Sequence, residues 1–280
     1  MIEKRQWSNK KLSTGYADVN GTRLYYELAG AGHSIVLIHG FTLDTRMWDD
    51  QFEAFAQYYR VLRYDARGFG RSEVPAAKSY SHSDDLMALL EHVGVSDAYI
   101  LGLSLGGSLA TNFTLAYPEA SRALIPVAPG LRGFKVSPEV AGWLQSLSTS
   151  ARAIGVEAAK ETWLGLPWFT PAQQKPGVYS RIRQIVSDYS GWHWLNENPV
   201  LLSDPPEMEL LDRITVPTLL IVGDQDVSDN HVVVDLMQQA IPNARKVVIP
   251  GVGHMSNMED PQRFNEIVLD FLADIDSTAK

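Results

Sequence analysis

An apolar, β-branched run followed by an amphipathic stretch recurs along this chain, and that alternation sharply limits the folds open to it. "SIVLIHG" (Ser34–Gly40), "YRVLRYDARG" (Tyr59–Gly68), "DAYILGLS" (Asp97–Ser104), "RALIPVAPG" (Arg122–Gly130), "VPTLLIVGD" (Val216–Asp224) and "RKVVIPGVG" (Arg245–Gly253) read as strands, preceded by "TRLYYELAG" (Thr22–Gly30). Several are apolar without alternation, as strands covered on both faces should be. Helical patterns at Thr45–Gln57, His82–His92, Leu105–Ala116, Asn230–Ile241 and Asp260–Ile275 lie between them. In the last of these, Asp260 reads as the N-cap and Pro261 as the first helical residue. The pattern predicts an α/β fold with a mostly parallel, doubly wound sheet and helices on both faces.

The rhythm breaks once. Residues 131–212 contain no convincing strand, only helical patterns and turns. Ser137-Pro138 opens a helix with Val140, Trp143, Leu144 and Leu147 on one stripe, and Val178, Ile182, Ile185, Val186 and Tyr189 form another. The expected division is a core of residues 1–130 and 213–280 with a helical insertion of 131–212 between two strands. Five of the seven tryptophans fall in that insertion: Trp143, Trp163, Trp168, Trp192 and Trp194. They either pack the insertion onto the core or face a cavity for an apolar substrate, and both can hold together.

Composition excludes several functions. The net charge is −9 with no cluster of Lys and Arg, which argues against a nucleic-acid partner. There are no cysteines, hence no disulfide, thiol nucleophile or thiolate metal site. Neither H-x-x-x-H nor H-E-x-x-H spacing occurs, and no P-loop or dinucleotide fingerprint is present, so no metal and no cofactor is expected. The first residues, "MIEKRQWSNKKLSTGY", lack an apolar segment after their charges, and nowhere do 18 apolar residues run together. The expectation is a cytoplasmic protein acting on a small molecule, with no membrane span.

Chemistry concentrates at "YILGLSLGGSLAT" (Tyr99–Thr111), where Ser104 stands between Gly102 and Gly106. A strand turning at once into a helix projects the intervening side chain, and glycines two residues either side remove the Cβ atoms that would collide there. This G-x-S-x-G arrangement reads as a nucleophile elbow. A serine hydroxyl needs a base to take its proton. The order serine, acid, histidine leaves His193, His231 and His254 among the seven histidines. His193 falls in the helical insertion and His231 inside a helical pattern. His254, on the glycine-rich loop "PGVGHMSNMEDP" after the last strand, is therefore the expected base. The acid should follow the preceding strand, where "LLIVGDQDVSDN" offers Asp224, Asp226 and Asp229. Asp224 directly follows Gly223 and suits the turn. Asp226, further into the loop, is favoured to orient the imidazole. The backbone N–H groups of Leu105 and Phe41 are the expected oxyanion donors, each typically worth ~10²–10³ in rate.

By these pieces the chain resembles the α/β-hydrolase superfamily: "VLIHGFT", "YDARGFGRS", "ILGLSLGG", "LLIVGDQD" and "GVGHMSNMEDP" cover nearly everything outside the insertion. The resemblance implies that residues 131–212 form a lid over the active site, and it supports Asp226 through the G-x-x-D spacing from Gly223. "RMWDDQF" and "RYDARGFGRSEVP" are similar to stretches of carboxylesterases and 3-oxoadipate enol-lactonases. Serine at the elbow departs from haloalkane dehalogenases and epoxide hydrolases. Leu105 departs from proline iminopeptidases, and the lone His39-Gly40 from esterases with triple-glycine oxyanion loops. The expected activity is hydrolysis of carboxylic esters with short to medium apolar groups through an acyl-enzyme. Lactone or enol-lactone opening, carbon–carbon bond hydrolysis, peracid formation and a non-enzymatic small-molecule receptor are the alternatives. A basic side chain in the pocket, from Arg132, Arg152, Arg181 or Arg183, would favour an anionic enol-lactone.

Overall fold

The computed structural model describes residues 12–76 and 79–278; residues 1–11, on which the reading of a missing secretory leader rests, lie outside them. The strands are β1 (Ser13–Val19), β2 (Thr22–Gly30), β3 (Ser34–Ile38), β4 (Arg60–Tyr64), β5 (Ala98–Leu103), β6 (Ser121–Val127), β7 (Thr218–Gly223) and β8 (Ala244–Ile249). They form one eight-stranded sheet in the order β1-β2-β4-β3-β5-β6-β7-β8. β1 and β2 are antiparallel and β2 runs antiparallel to β4, while the pairings from β4 through β8 are parallel.

β3, β5 and β7 are buried along their whole length, which accounts for their unbroken apolar runs. β1 was not expected from the sequence. As an edge strand it buries only Ala17, so "STGYADV" carries little alternation to read.

The helices of the sheet region are α1 (Asp49–Ala56), α2 (His82–His92), α3 (Leu105–Ala116), α9 (Ser228–Ala240), α10 (Ser256–Glu259) and α11 (Pro261–Thr278). α11 starts at Pro261 as expected, with Asp260 Oδ1 accepting the Arg263 N–H at 3.1 Å. The pattern expected as one helix over Thr45–Gln57 divides into a 3₁₀ turn, Thr45–Trp48, and α1. Asp44 causes the division: its side chain accepts the Arg46 N–H and starts the tighter turn.

Between β6 and β7 lie α4 (Pro138–Ile154), α5 (Val156–Leu164), α6 (Thr170–Gln173), α7 (Pro176–Asp188) and α8 (Trp192–Leu195). Specific side chains tie this segment to the sheet region. Trp163 Nε1–H donates to Thr42 Oγ1 at 2.7 Å, Arg181 pairs with Asp50 at 2.7 Å, and Arg46 pairs with Asp188 at 2.8 Å. The apolar stripe of α7 is buried at Ile182, Ile185 and Val186. None of the described helices is long and apolar enough to cross a membrane.

Candidate active site

Ser104 sits at the break between β5 and α3 with φ 58° and ψ −114°, a backbone conformation that costs a non-glycine residue about 1–3 kcal/mol. Its surroundings hold it there. Ser104 N–H donates to Val127 O on β6 at 2.8 Å, and Ser104 O accepts from Ser108 N–H at 3.0 Å and Gly130 N–H at 3.2 Å. The flanking glycines are sterically required. A Cβ on Gly102 would stand 2.0 Å from Gly106 O, and one on Gly106 would stand 2.1 Å from Ile38 O.

Asp226 and His254 meet across the loops after β7 and β8. His254 Nδ1 lies 2.9 Å from Asp226 Oδ2, with the histidine 7% exposed. Asp224 goes elsewhere: its Oδ1 accepts the Gly251 N–H at 2.8 Å and braces the turn after β8. Asp229 accepts the Ser137 N–H at 2.7 Å.

Two residues that the sequence reading did not single out complete this region. Asn230 Nδ2 is 2.9 Å from Asp226 Oδ1 and 2.9 Å from His254 Nδ1. With the ring proton on Nδ1 donated to Asp226 Oδ2, the acceptor of this amide is Asp226 Oδ1, which also receives the Val227 N–H at 2.8 Å. Both carboxylate oxygens are thereby fixed. Glu259 holds the histidine loop from below: its oxygens accept the N–H groups on either side of His254, Gly253 at 2.8 Å and Met255 at 3.1 Å. Burial raises the Glu259 pKa, an effect opposed by those two bonds. Asn230 stands one helical turn after Asp226, and that spacing was the only signal of it in the sequence.

The loop after β3 carries Phe41. Its fold depends on His39, which is 1% exposed. His39 Nε2 accepts the Ala66 N–H at 3.0 Å, which leaves the proton on Nδ1 to donate to Gly40 O at 2.8 Å. Thr42 Oγ1–H donates to Phe41 O at 2.6 Å. Among the described residues, neither the Phe41 nor the Leu105 N–H has a recorded protein acceptor, so both remain available to a ligand.

Ser104, His254, Phe41 and Leu105 all line one cavity of about 320 Å³. Its walls are largely apolar, with Phe134, Val136, Leu144, Trp163 and Trp168 among them. The Trp168 ring lies 6.1 Å from that of His254. Trp163 and Trp168 therefore both pack the inserted helices and face the cavity, whereas Trp194 packs against Tyr189 at 5.1 Å. His193, the alternative histidine, stacks on Phe69 at 4.3 Å and contacts Tyr189 Oη at 2.9 Å. His231 lies within α9. No cluster of three metal-ligating side chains occurs among the described residues.

Strand-end residues, an elbow serine and a carboxylate–histidine pair around one cavity match a known design. Residues 33–261 match the family described as the alpha/beta hydrolase fold. The chain belongs to that family. Among solved structures it is similar to an enol-lactonase from Burkholderia xenovorans LB400, at 30% identity and a TM-score of 0.80, over 92% of this chain and 100% of that one. It is also similar to a thermophilic esterase from Thermogutta terrifontis, at 26% identity and a TM-score of 0.76, over 96% and 99% of the two chains. Among curated relatives, the pimeloyl-[acyl-carrier protein] methyl ester esterase of Aeromonas hydrophila is 27% identical, over 88% of this chain and 98% of the relative. The α/β hydrolase described here is thus a hydrolytic enzyme of the esterase and lactonase type.

Proposed function

We propose that this hydrolase cleaves carboxylic esters with short to medium apolar groups through an acyl-enzyme formed on Ser104. The observation that carries the proposal is the 2.9 Å contact between His254 Nδ1 and Asp226 Oδ2 beside the cavity that Ser104 lines. His254 Nε2 takes the Ser104 proton as the hydroxyl oxygen bonds to the carbonyl carbon. The carbonyl oxygen gains charge and is received by the Phe41 and Leu105 N–H groups. His254 then returns the proton to the departing alkoxide. Water repeats the sequence, with His254 as base, and releases the acid. Asp226 keeps the imidazole in the productive tautomer and stabilises the imidazolium. Residues 131–212 serve as a helical cap that excludes water from the site.

An uncharged ester is favoured over an anionic enol-lactone by the charges around the cavity. Among the described residues no Lys or Arg lines it, and Asp229 does. Arg181 and Arg183 are occupied by Asp50 and Glu161 at 2.7 Å each. An uncharged lactone fits the same groups and remains the second reading.

The test is initial rates on p-nitrophenyl esters from acetate to palmitate. Wild-type enzyme should show an optimum at short or medium chains, and Ser104→Ala should be inactive on all of them while remaining folded. Undiminished hydrolysis by Ser104→Ala would overturn the assignment of the nucleophile.

A further inference from the structure

Two cavities meet at Phe41 and Leu105. Both residues line the chamber of about 320 Å³ that holds Ser104 and His254, and both also line a larger one of about 500 Å³. The scissile carbonyl belongs at that junction, because the two backbone N–H groups proposed to receive its oxygen sit there. A general acid must come within about 2.6–3.2 Å of the atom it protonates. His254 lines the smaller chamber and not the larger. The oxygen that leaves must therefore face the smaller chamber.

On the esterase reading above, we infer that the alcohol departs through the smaller aromatic chamber, while the larger chamber receives the acyl half of the substrate and binds an uncharged hydrogen-bonding group, such as an amide, at its far end.

The polar wall of the larger chamber supports this chemistry. Arg132 Nη1 donates to Ser203 O at 2.7 Å and to Ser203 Oγ at 3.1 Å, and it stands 3.8 Å from Glu207 Oε1. Asn112 Nδ2 and Ser203 Oγ both donate to that same Oε1, at 2.8 and 2.9 Å. Glu207 is 1% exposed, yet among the described residues its Oε2 is buried with no partner. A buried carboxylate oxygen with unused lone pairs calls for a donor, and an amide N–H or a hydroxyl provides one.

Among the described residues the wall also lacks free positive charge. Glu207 offsets Arg132, and burial lowers the His82 pKa to about 3, so that ring is neutral at pH 7. Exposed Asp84 adds a negative charge. A carboxylate at the end of the acyl chain would find no uncompensated cation.

The experiment uses two ester series on the whole enzyme. In the first, the leaving group is p-nitrophenol and the acyl group is acetyl, hexanoyl, or hexanoyl ending in a primary amide or a carboxylate. In the second, the acyl group is acetyl and the alcohol runs from methyl to hexyl. Wild type should prefer the terminal amide over the terminal carboxylate by ~10-fold or more in kcat/KM. Glu207→Gln, which keeps the shape but releases the Arg132 charge, should swing that ratio ~10-fold toward the carboxylate. Leu109→Trp, which narrows the larger chamber, should reduce the hexanoyl-to-acetyl ratio ~10-fold and affect the acyl series more than the alcohol series. Leu144→Trp, in the smaller chamber, should do the reverse. An amide-to-carboxylate ratio unmoved by Glu207→Gln would overturn the polar assignment. Selectivity that follows the opposite half of the ester in the two tryptophan variants would overturn the chamber assignment. Neither result touches the esterase reading, which fails if wild type hydrolyses none of these esters or if Ser104→Ala remains active.

Discussion

At Ser104 the demands of chemistry and of folding oppose each other. The side chain is exposed to its cavity only because the backbone holds φ 58° and ψ −114°, where an L-residue is strained. Ser104→Gly should relieve that strain. Against the entropy that glycine restores to the unfolded chain, a net gain of about 1 kcal/mol is expected, with loss of esterase activity. Chemical denaturation of the two proteins measures it; equal or lower stability in the glycine variant would show that the elbow is not strained. The two nearby aspartates separate in the same way. Asp226→Asn should lower kcat ~10³–10⁴-fold by favouring the wrong imidazole tautomer. Asp224→Asn, which alters the brace on the Gly251 N–H, should leave kcat within a few-fold of wild type. Asn230→Ala should lie between them, at ~10–100-fold in kcat with KM little changed, because it lets the carboxylate turn away from the ring without removing it. A broadened or displaced pH–rate profile in Asn230→Ala would separate this positioning role from a purely structural one.

At the scale of elements, the β5–α3 junction depends on two absent side chains. Gly102→Ala places a methyl group 2.0 Å from Gly106 O, and backbone cannot yield as a side-chain tip does. The variant should lose about 3 kcal/mol or more, read as a lower midpoint in urea. These glycines were legible in the sequence because a strand, a turn and a helix are local structures with local rules. The same holds for Asp260-Pro261 at the start of α11 and for the continuous apolar runs of β3, β5 and β7. Strand ends were less legible. The run read as Tyr59–Gly68 pairs only over Arg60–Tyr64. Asp65 then turns its carboxylate to the N–H groups of Thr45 and Arg71, an exchange between distant segments that no local pattern announces. β1 was missed because an edge strand with a single buried residue has almost no period. Asn230 and Glu259 were missed because a polar side chain four to six residues from its partners makes no distinctive pattern, and the bonds follow only from how the loops after β7 and β8 turn.

Across the whole molecule, the inserted helices and the sheet region share a ring that burial keeps uncharged. His193 lies against Phe69, in the loop after β4, and Tyr189, at the end of α7, and burial lowers its pKa from 6.5 to about 4. The unfolded chain takes up a proton at this histidine before the folded one does. Its contribution to stability is therefore complete above pH 6.5 and disappears as the pH falls toward 4. In His193→Gln, the dependence of unfolding free energy on pH between 6.5 and 4 should be shallower than in wild type. An unchanged slope would mean that this ring is not held neutral. The inserted helices are further joined to the sheet region through Trp163, whose indole N–H donates to Thr42 Oγ1, while the Thr42 hydroxyl donates in turn to Phe41 O. The carbonyl of Phe41, the residue whose N–H is the proposed oxyanion donor, is thus tied through Thr42 to Trp163. A displacement of the inserted helices large enough to admit a bulky ester would break the Trp163–Thr42 bond, and their return would restore it. Admission and reaction would then belong to separate moments of the cycle.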